Sequence, residues 1–98
     1  MLILVLLSHL SLMNVIIWNC RGALKPSFKI RVGELVQSHN PAILVIMETR
    51  VGGDRAREIT NSLPFDCAFH TETIGYAGGL WVVWNADRVE LAMLSSTE

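Results

Sequence analysis

The stretch Ile43-Leu44-Val45-Ile46-Met47 is an unbroken apolar run that ends on a carboxylate, Glu48, and it constrains the fold more than any other part of the chain. A short run rich in β-branched residues, entered from Pro41 and left through Gly52-Gly53, reads as a strand buried on both faces. Val15-Ile16-Ile17 has the same form and leads into Trp18-Asn19-Cys20-Arg21-Gly22. Between the two runs, Phe28, Val32, Leu35 and Val36 recur at helical spacing, with Arg31, Glu34 and Gln37 on the outer face. Ser27 is placed to cap the start of this helix, and His39-Asn40-Pro41 ends it. The connection is long enough for a parallel crossover, so the class expected is α/β. In open α/β sheets, ligands bind beyond the carboxyl ends of the strands. The two runs therefore deliver Asn19 and Glu48 to one sheet edge.

Beyond Gly52-Gly53, Asp54 is expected to cap a second, more polar helix carrying Ala56, Ile59 and Leu63 on one face and stopped by Pro64. Phe65–His70 alternates as a third strand, and Thr71–Ala77 is a loop. Gly78–Trp84 is a strand by its aromatic and β-branched content. After the turn Asn85-Ala86-Asp87, Arg88–Leu94 alternates as a final strand, expected to form a hairpin with the one before it. The expectation is one mixed sheet of about four to five strands with two helices.

A chain of 98 residues suits a single domain. Only 17% of it is charged, against about 25% in an average domain, so it reads as a piece of a larger core. The net charge of −1 excludes a general basic field for nucleic acid. A local cleft with a metal stays open. Cys20 and Cys67 have no zinc spacing and no disulfide frame, which fits reduced thiols in the cytosol or nucleus. Residues 1–12 form an apolar extension without a basic leader region, followed by a domain over 13–98 with Met13 as its natural start. The extension is expected to be a short helix or an extra strand. A signal or anchor is the lesser reading, because Ser8, His9, Ser11 and Asn14 interrupt the apolar run.

Glu48 is either a surface carboxylate at a strand end or a hard oxygen ligand for Mg²⁺, which is usually held by one or two carboxylates with water and phosphate. Asn19 is either a turn residue bonded to its own backbone or a neutral amide beside a phosphate. Arg21, Lys25 and Arg50 are solvated charges or phosphate contacts on the same edge. Tyr76 is a loop aromatic within reach of DNA, or an ordinary loop residue. Gly78-Gly79 is followed by no Lys-Ser/Thr and is not a P-loop. Trp18 reads as core or cleft wall, and Trp81 and Trp84 as sheet packing. His9, His39 and His70 have no supporting motif, and Asp54, Asp66 and Asp87 follow no pattern.

Met13-Asn14-Val15-Ile16-Ile17-Trp18-Asn19-Cys20-Arg21-Gly22 resembles the opening of the endonuclease/exonuclease/phosphatase superfamily, the DNase-I-like and apurinic-endonuclease-like fold. Asn40–Arg50 resembles its second strand, and Gly75–Trp84 its Gly-Gly-Leu-Trp strand, in the same order. The wording is most similar to the endonuclease domains of plant non-LTR (LINE-type) retrotransposons, and it argues against an inositol-phosphate or small-molecule phosphoesterase. The resemblance implies the N-terminal half of a four-layer α/β/β/α sandwich. It implies Asn19 as an active-site residue, Glu48 as a ligand of Mg²⁺ (or Mn²⁺), and DNA as the partner, with Arg21, Arg50 and Tyr76 near it. The implied reaction is phosphodiester hydrolysis that nicks target DNA. The family's catalytic tyrosine motif, Gly-Asp-x-Asn and terminal Ser-Asp-His do not occur in these 98 residues. The expectation is therefore a truncated endonuclease domain, inactive as this fragment. The alternative is a non-catalytic remnant or interaction module, self-associating through an exposed apolar sheet face. No membrane partner is expected.

Overall fold

The computed structural model describes residues 2–6, 14–71, 78–89 and 91–95. In chain order the elements are β1 (Leu2–Leu6), β2 (Val15–Asn19), α1 (Phe28–His39), β3 (Ile43–Met47), α2 (Gly53–Asn61), β4 (Cys67–His70), β5 (Leu80–Trp84) and β6 (Leu91–Ser95). Four strands form one mixed sheet in the order β2-β3-β5-β4. β2 and β3 are parallel, with Ile16 opposite Leu44 and Asn19 opposite Met47. β5 is antiparallel to both β3 and β4. The α/β class, the mixed sheet and the two helices are as expected, and α1 is the crossover that makes β2 and β3 parallel.

Alternation across the sheet sorts its side chains onto two faces. On one face Leu44, Ile46, Trp81 and Val83 pack with Phe28 and Val32 of α1 and with Ala56 and Ile59 of α2. On the other, Ile43, Val45, Val82 and Trp84 pack with Ala42 and Val89. β3 thus contributes to both clusters, as its unbroken apolar run predicts. Trp81 and Trp84 are sheet packing, and both are buried.

β2 departs from expectation. It has the composition of a strand buried on both faces but lies at the sheet's edge. Ile16 and Trp18 pack on the helix-side cluster, while Val15 is 43% and Ile17 67% exposed. One sheet neighbour and one helix layer cover only half of it. The expected closing hairpin is also corrected. Both edges of β5 are taken by β3 and β4, so β6 pairs instead with β1, Leu4 opposite Met93, in a separate two-stranded sheet. The third strand begins at Cys67 rather than Phe65. Within the apolar extension, Leu2–Leu6 is a strand.

Polar side chains set the junctions. α1 ends because Asn40 is left-handed (φ 43°, ψ 58°) and its N–H bonds back to Val36. Asn14 then ties this end to β2: its Nδ2 donates to the His39 carbonyl at 2.6 Å, and its Oδ1 accepts from Ala42 N–H at 3.1 Å. Ser27 holds the N-cap position of α1, but its side chain makes no capping bond. The N-cap of α2 is Gly52, not Asp54; Asp54 lies in the first turn and pairs with Arg57 at 3.1 Å. Gly52 takes the extended geometry a cap needs without a side chain, which leaves Asp54 to favour the helix N-terminus by charge.

A candidate site at the carboxyl ends of two parallel strands

The parallel ladder does not stop where the strands do. Cys20 N–H donates to Met47 O at 3.0 Å, Gly22 N–H to Glu48 O at 2.8 Å and Ala23 N–H to Thr49 O at 2.9 Å. From the opposite flank, Glu48 N–H reaches Gly79 O at 2.9 Å and Arg50 N–H reaches Gly78 O at 2.6 Å. The segment Glu48-Thr49-Arg50 is therefore pinned on both sides. The cost is backbone strain: Glu48 (φ 57°) and Arg50 (φ 60°) are both left-handed, at about 1–2 kcal/mol for each L-residue. Such strain persists only where the surroundings over-determine it, and it concentrates at functional sites. Its result is that Thr49 is fully buried while Glu48 and Arg50 reach solvent.

Asn19 and Glu48 are brought together. Asn19 Nδ2 donates to Glu48 Oε2 at 2.7 Å, and Arg50 Nη2 to Glu48 Oε1 at 3.1 Å. Each carboxylate oxygen thus has one donor. The Asn19 hydrogen bond is the main reason the Glu48 carboxyl titrates below its ordinary range. Partial desolvation works against that shift, and the charges of Arg50 and Arg21 add to it. Glu48 is an anion at neutral pH. Behind it, Cys20 is buried, its Sγ 3.6 Å from the Glu48 carbonyl, and burial pushes its thiol pKa up. Cys20 and Cys67 are both free thiols.

Of the cations expected on this edge, Arg50 is engaged with Glu48, and Arg21 is exposed and left-handed (φ 57°). Arg21 and Lys25 line a cleft of about 280 Å³ next to Asn19. Tyr76 lies outside the described residues. Arg31, an outward-facing helix residue by its spacing, lines the same cleft. Its signal in the sequence is a run of charge: Arg21, Lys25, Lys29 and Arg31 follow one another with no acid before Glu34. Among the described residues, no group of three His, Cys, Asp or Glu side chains gathers to hold a metal.

His70 has a structural place. Its Nε2 lies 3.1 Å from the buried Thr60 Oγ1, and its ring meets Trp81 edge to face at 5.5 Å. Compared with known proteins, the chain matches no family model, no curated protein and no solved structure.

Proposed function

We propose that Asn19 and Glu48 are the metal-side half of a Mg²⁺-dependent DNA endonuclease centre, of the DNase-I-like type found in LINE-type retrotransposons. The observation that carries this reading is the 2.7 Å bond between them, made at the carboxyl ends of two adjacent parallel strands. The donor set suits the ion in kind: an ionised carboxylate and an amide are hard oxygen donors, and magnesium asks for few protein ligands. The ion pair from Arg50 is 57% and 39% exposed on its two sides, so solvent screens it and it yields readily to a divalent cation. When bound, the metal would polarise a phosphoryl oxygen and acidify its water. Asn19 would hold Glu48 ionised and oriented, and Arg21 and Arg50 would meet the phosphate's charge.

The same reading makes the second sheet face, where Val15, Ile17 and Met47 are exposed, the surface on which the second sheet of a four-layer sandwich packs. The His–Asp pair of the resembled family has no counterpart in these residues. General acid–base help of that kind typically contributes 10²–10⁴-fold, which is why the chain alone is expected to be inactive or to retain only trace nicking. A second reading, a non-catalytic module, is favoured by Arg50 already pairing with Glu48.

Supercoiled plasmid with Mg²⁺ tests the nuclease reading, together with Mn²⁺ broadening of the Asn19 and Glu48 NMR signals. Selective broadening that is lost in Glu48→Gln is expected, and any trace nicking should be lost with it. Nicking that survives Glu48→Gln would refute the site, and absence of broadening would leave the non-catalytic reading.

A further inference from the structure

Two clefts open on the α1 side of β2. The first, of about 280 Å³, is lined by Trp18, Asn19, Arg21, Lys25, Ser27 and Arg31 among others. The second, of about 220 Å³, runs on past Trp18 and Arg31 to Glu34, Ser38 and His39. Sharing Trp18 and Arg31, the two are successive parts of one groove between α1 and the open edge of the sheet.

The groove combines two features. Its Asn19 end is cationic: Arg21, Lys25 and Arg31 are all exposed, and no acidic residue occurs between Val15 and Gly33. Its middle is an indole held from behind. Trp18 stacks on Phe28 with centroids 5.6 Å apart and planes 19° from parallel. Phe28 is 3% exposed and meets Trp81 edge to face at 6.0 Å. Trp18 is therefore anchored to the core yet lines solvent-filled space in both clefts.

We propose that this groove binds a single-stranded segment of polynucleotide, with backbone phosphates on Arg21, Lys25 and Arg31 and a base stacked at Trp18. Cations along a groove with an aromatic platform are the arrangement that holds single strands, because every base offers a π-face once it is unstacked. A duplex would use the cations and leave the indole idle. Asn19 also lines the groove, and the binding does not rest on the endonuclease reading.

The test is fluorescence anisotropy of the full chain with a labelled oligo-dT of about ten nucleotides, in EDTA, over a salt series. Three phosphate contacts give a log–log salt slope near −2, at about 0.7 per phosphate on single strands. Arg31→Ala should lower the slope by about 0.7, while Arg57→Ala, the same charge loss on α2, leaves it unchanged. Trp18→Ala should weaken binding about 5- to 150-fold. Because Trp18 also packs on Phe28, the exposed Arg31 decides the matter if that variant does not fold. Equal binding by Arg31→Ala and Arg57→Ala overturns the proposal, as does a duplex of the same length binding more tightly than the single strand. Binding in EDTA that persists in Glu48→Gln supports the groove whatever the plasmid assay gives. Nicking that depends on Glu48 without single-strand binding sinks the groove and leaves the nuclease reading standing.

Discussion

β2 and β3 are neighbours, parallel, five residues each and apolar in the same way. One is buried along most of its length and the other alternates between half-buried and exposed. Composition does not separate them; position does. β3 has a strand on either side and packed residues on both faces. Among the described residues, β2 has one strand neighbour and one helix layer. Val15, Ile17 and Met47 therefore carry the side chains of an interior while lying on a surface.

The largest effect that could overturn this contrast comes from truncating one apolar residue on each strand. Leu44 is fully buried in the helix-side cluster, so Leu44→Ala should cost about 2–5 kcal/mol. Ile17→Ala should fall within about 0.5 kcal/mol, as surface changes do. Urea denaturation of both variants checks this. A cost at Ile17 rivalling that at Leu44 would mean that β2's outer face is covered in solution. A self-associated chain would announce itself by making the Ile17 cost depend on protein concentration.

The same pair of strands shows how far the sequence could be read. Val15–Asn19 and Ile43–Met47 were legible as strands, and the helical stripe between them made their parallel pairing legible too. That pairing is what put Asn19 beside Glu48. What stayed hidden was the number of neighbours each strand would have, because apolar runs record burial in the finished assembly and not the order of strands. The partner of β6 was hidden for the same reason: adjacency along the chain favoured β5, whose edges were already taken. The left-handed backbone at Glu48 and Arg50 had no local signal, since neither is glycine or asparagine and the loops that force it come from Gly22 and from Gly78-Gly79. Asn14 looked like an interruption of an apolar run, and it is the clamp that joins β2 to the end of α1.

A smaller effect distinguishes the far side of the sheet from the site edge by pH. Burial, with the Arg57 charge adding to it, holds His70 below the ordinary histidine pKa of 6.5. The unfolded chain therefore takes up its proton near pH 6.5, and the folded chain only at lower pH. Between those two points the unfolded state binds more protons, so stability falls as pH drops below about 6.5 and is level above it. Urea midpoints at pH 7.5 and 5.5 should show the loss in the wild-type chain. His70→Gln, which can still bond Thr60, should flatten it. An unchanged slope in His70→Gln would place the titrating group elsewhere.

The smallest change in stability, and the sharpest in function, belongs to Arg50→Ala. Its ion pair with Glu48 is open to solvent and screened, and alanine, like arginine, is strained at φ 60°. Its Coulombic effect on Glu48 is larger in kind than in energy. The Asn19 hydrogen bond is the largest single cause of the lowered carboxyl pKa, and Arg50 lowers it through both its charge and its hydrogen bond. Removing Arg50, or removing the amide in Asn19→Ala, should let the Glu48 titration rise toward the ordinary 4.5. Because a depressed carboxyl pKa stabilises the fold only above the unfolded value and loses that contribution as pH falls through the folded one, both variants lose stability near neutrality and none at strongly acidic pH. Metal binding should respond in opposite senses. Arg50→Ala frees Oε1 and removes a positive charge, so Mn²⁺ broadening at Glu48 should strengthen. Asn19→Ala removes the group that orients the carboxylate, so broadening should weaken. If the two variants shift Mn²⁺ affinity in the same direction, the pair is a surface ion network and not a metal-side half-site, and the difference between β2 and β3 is one of packing alone.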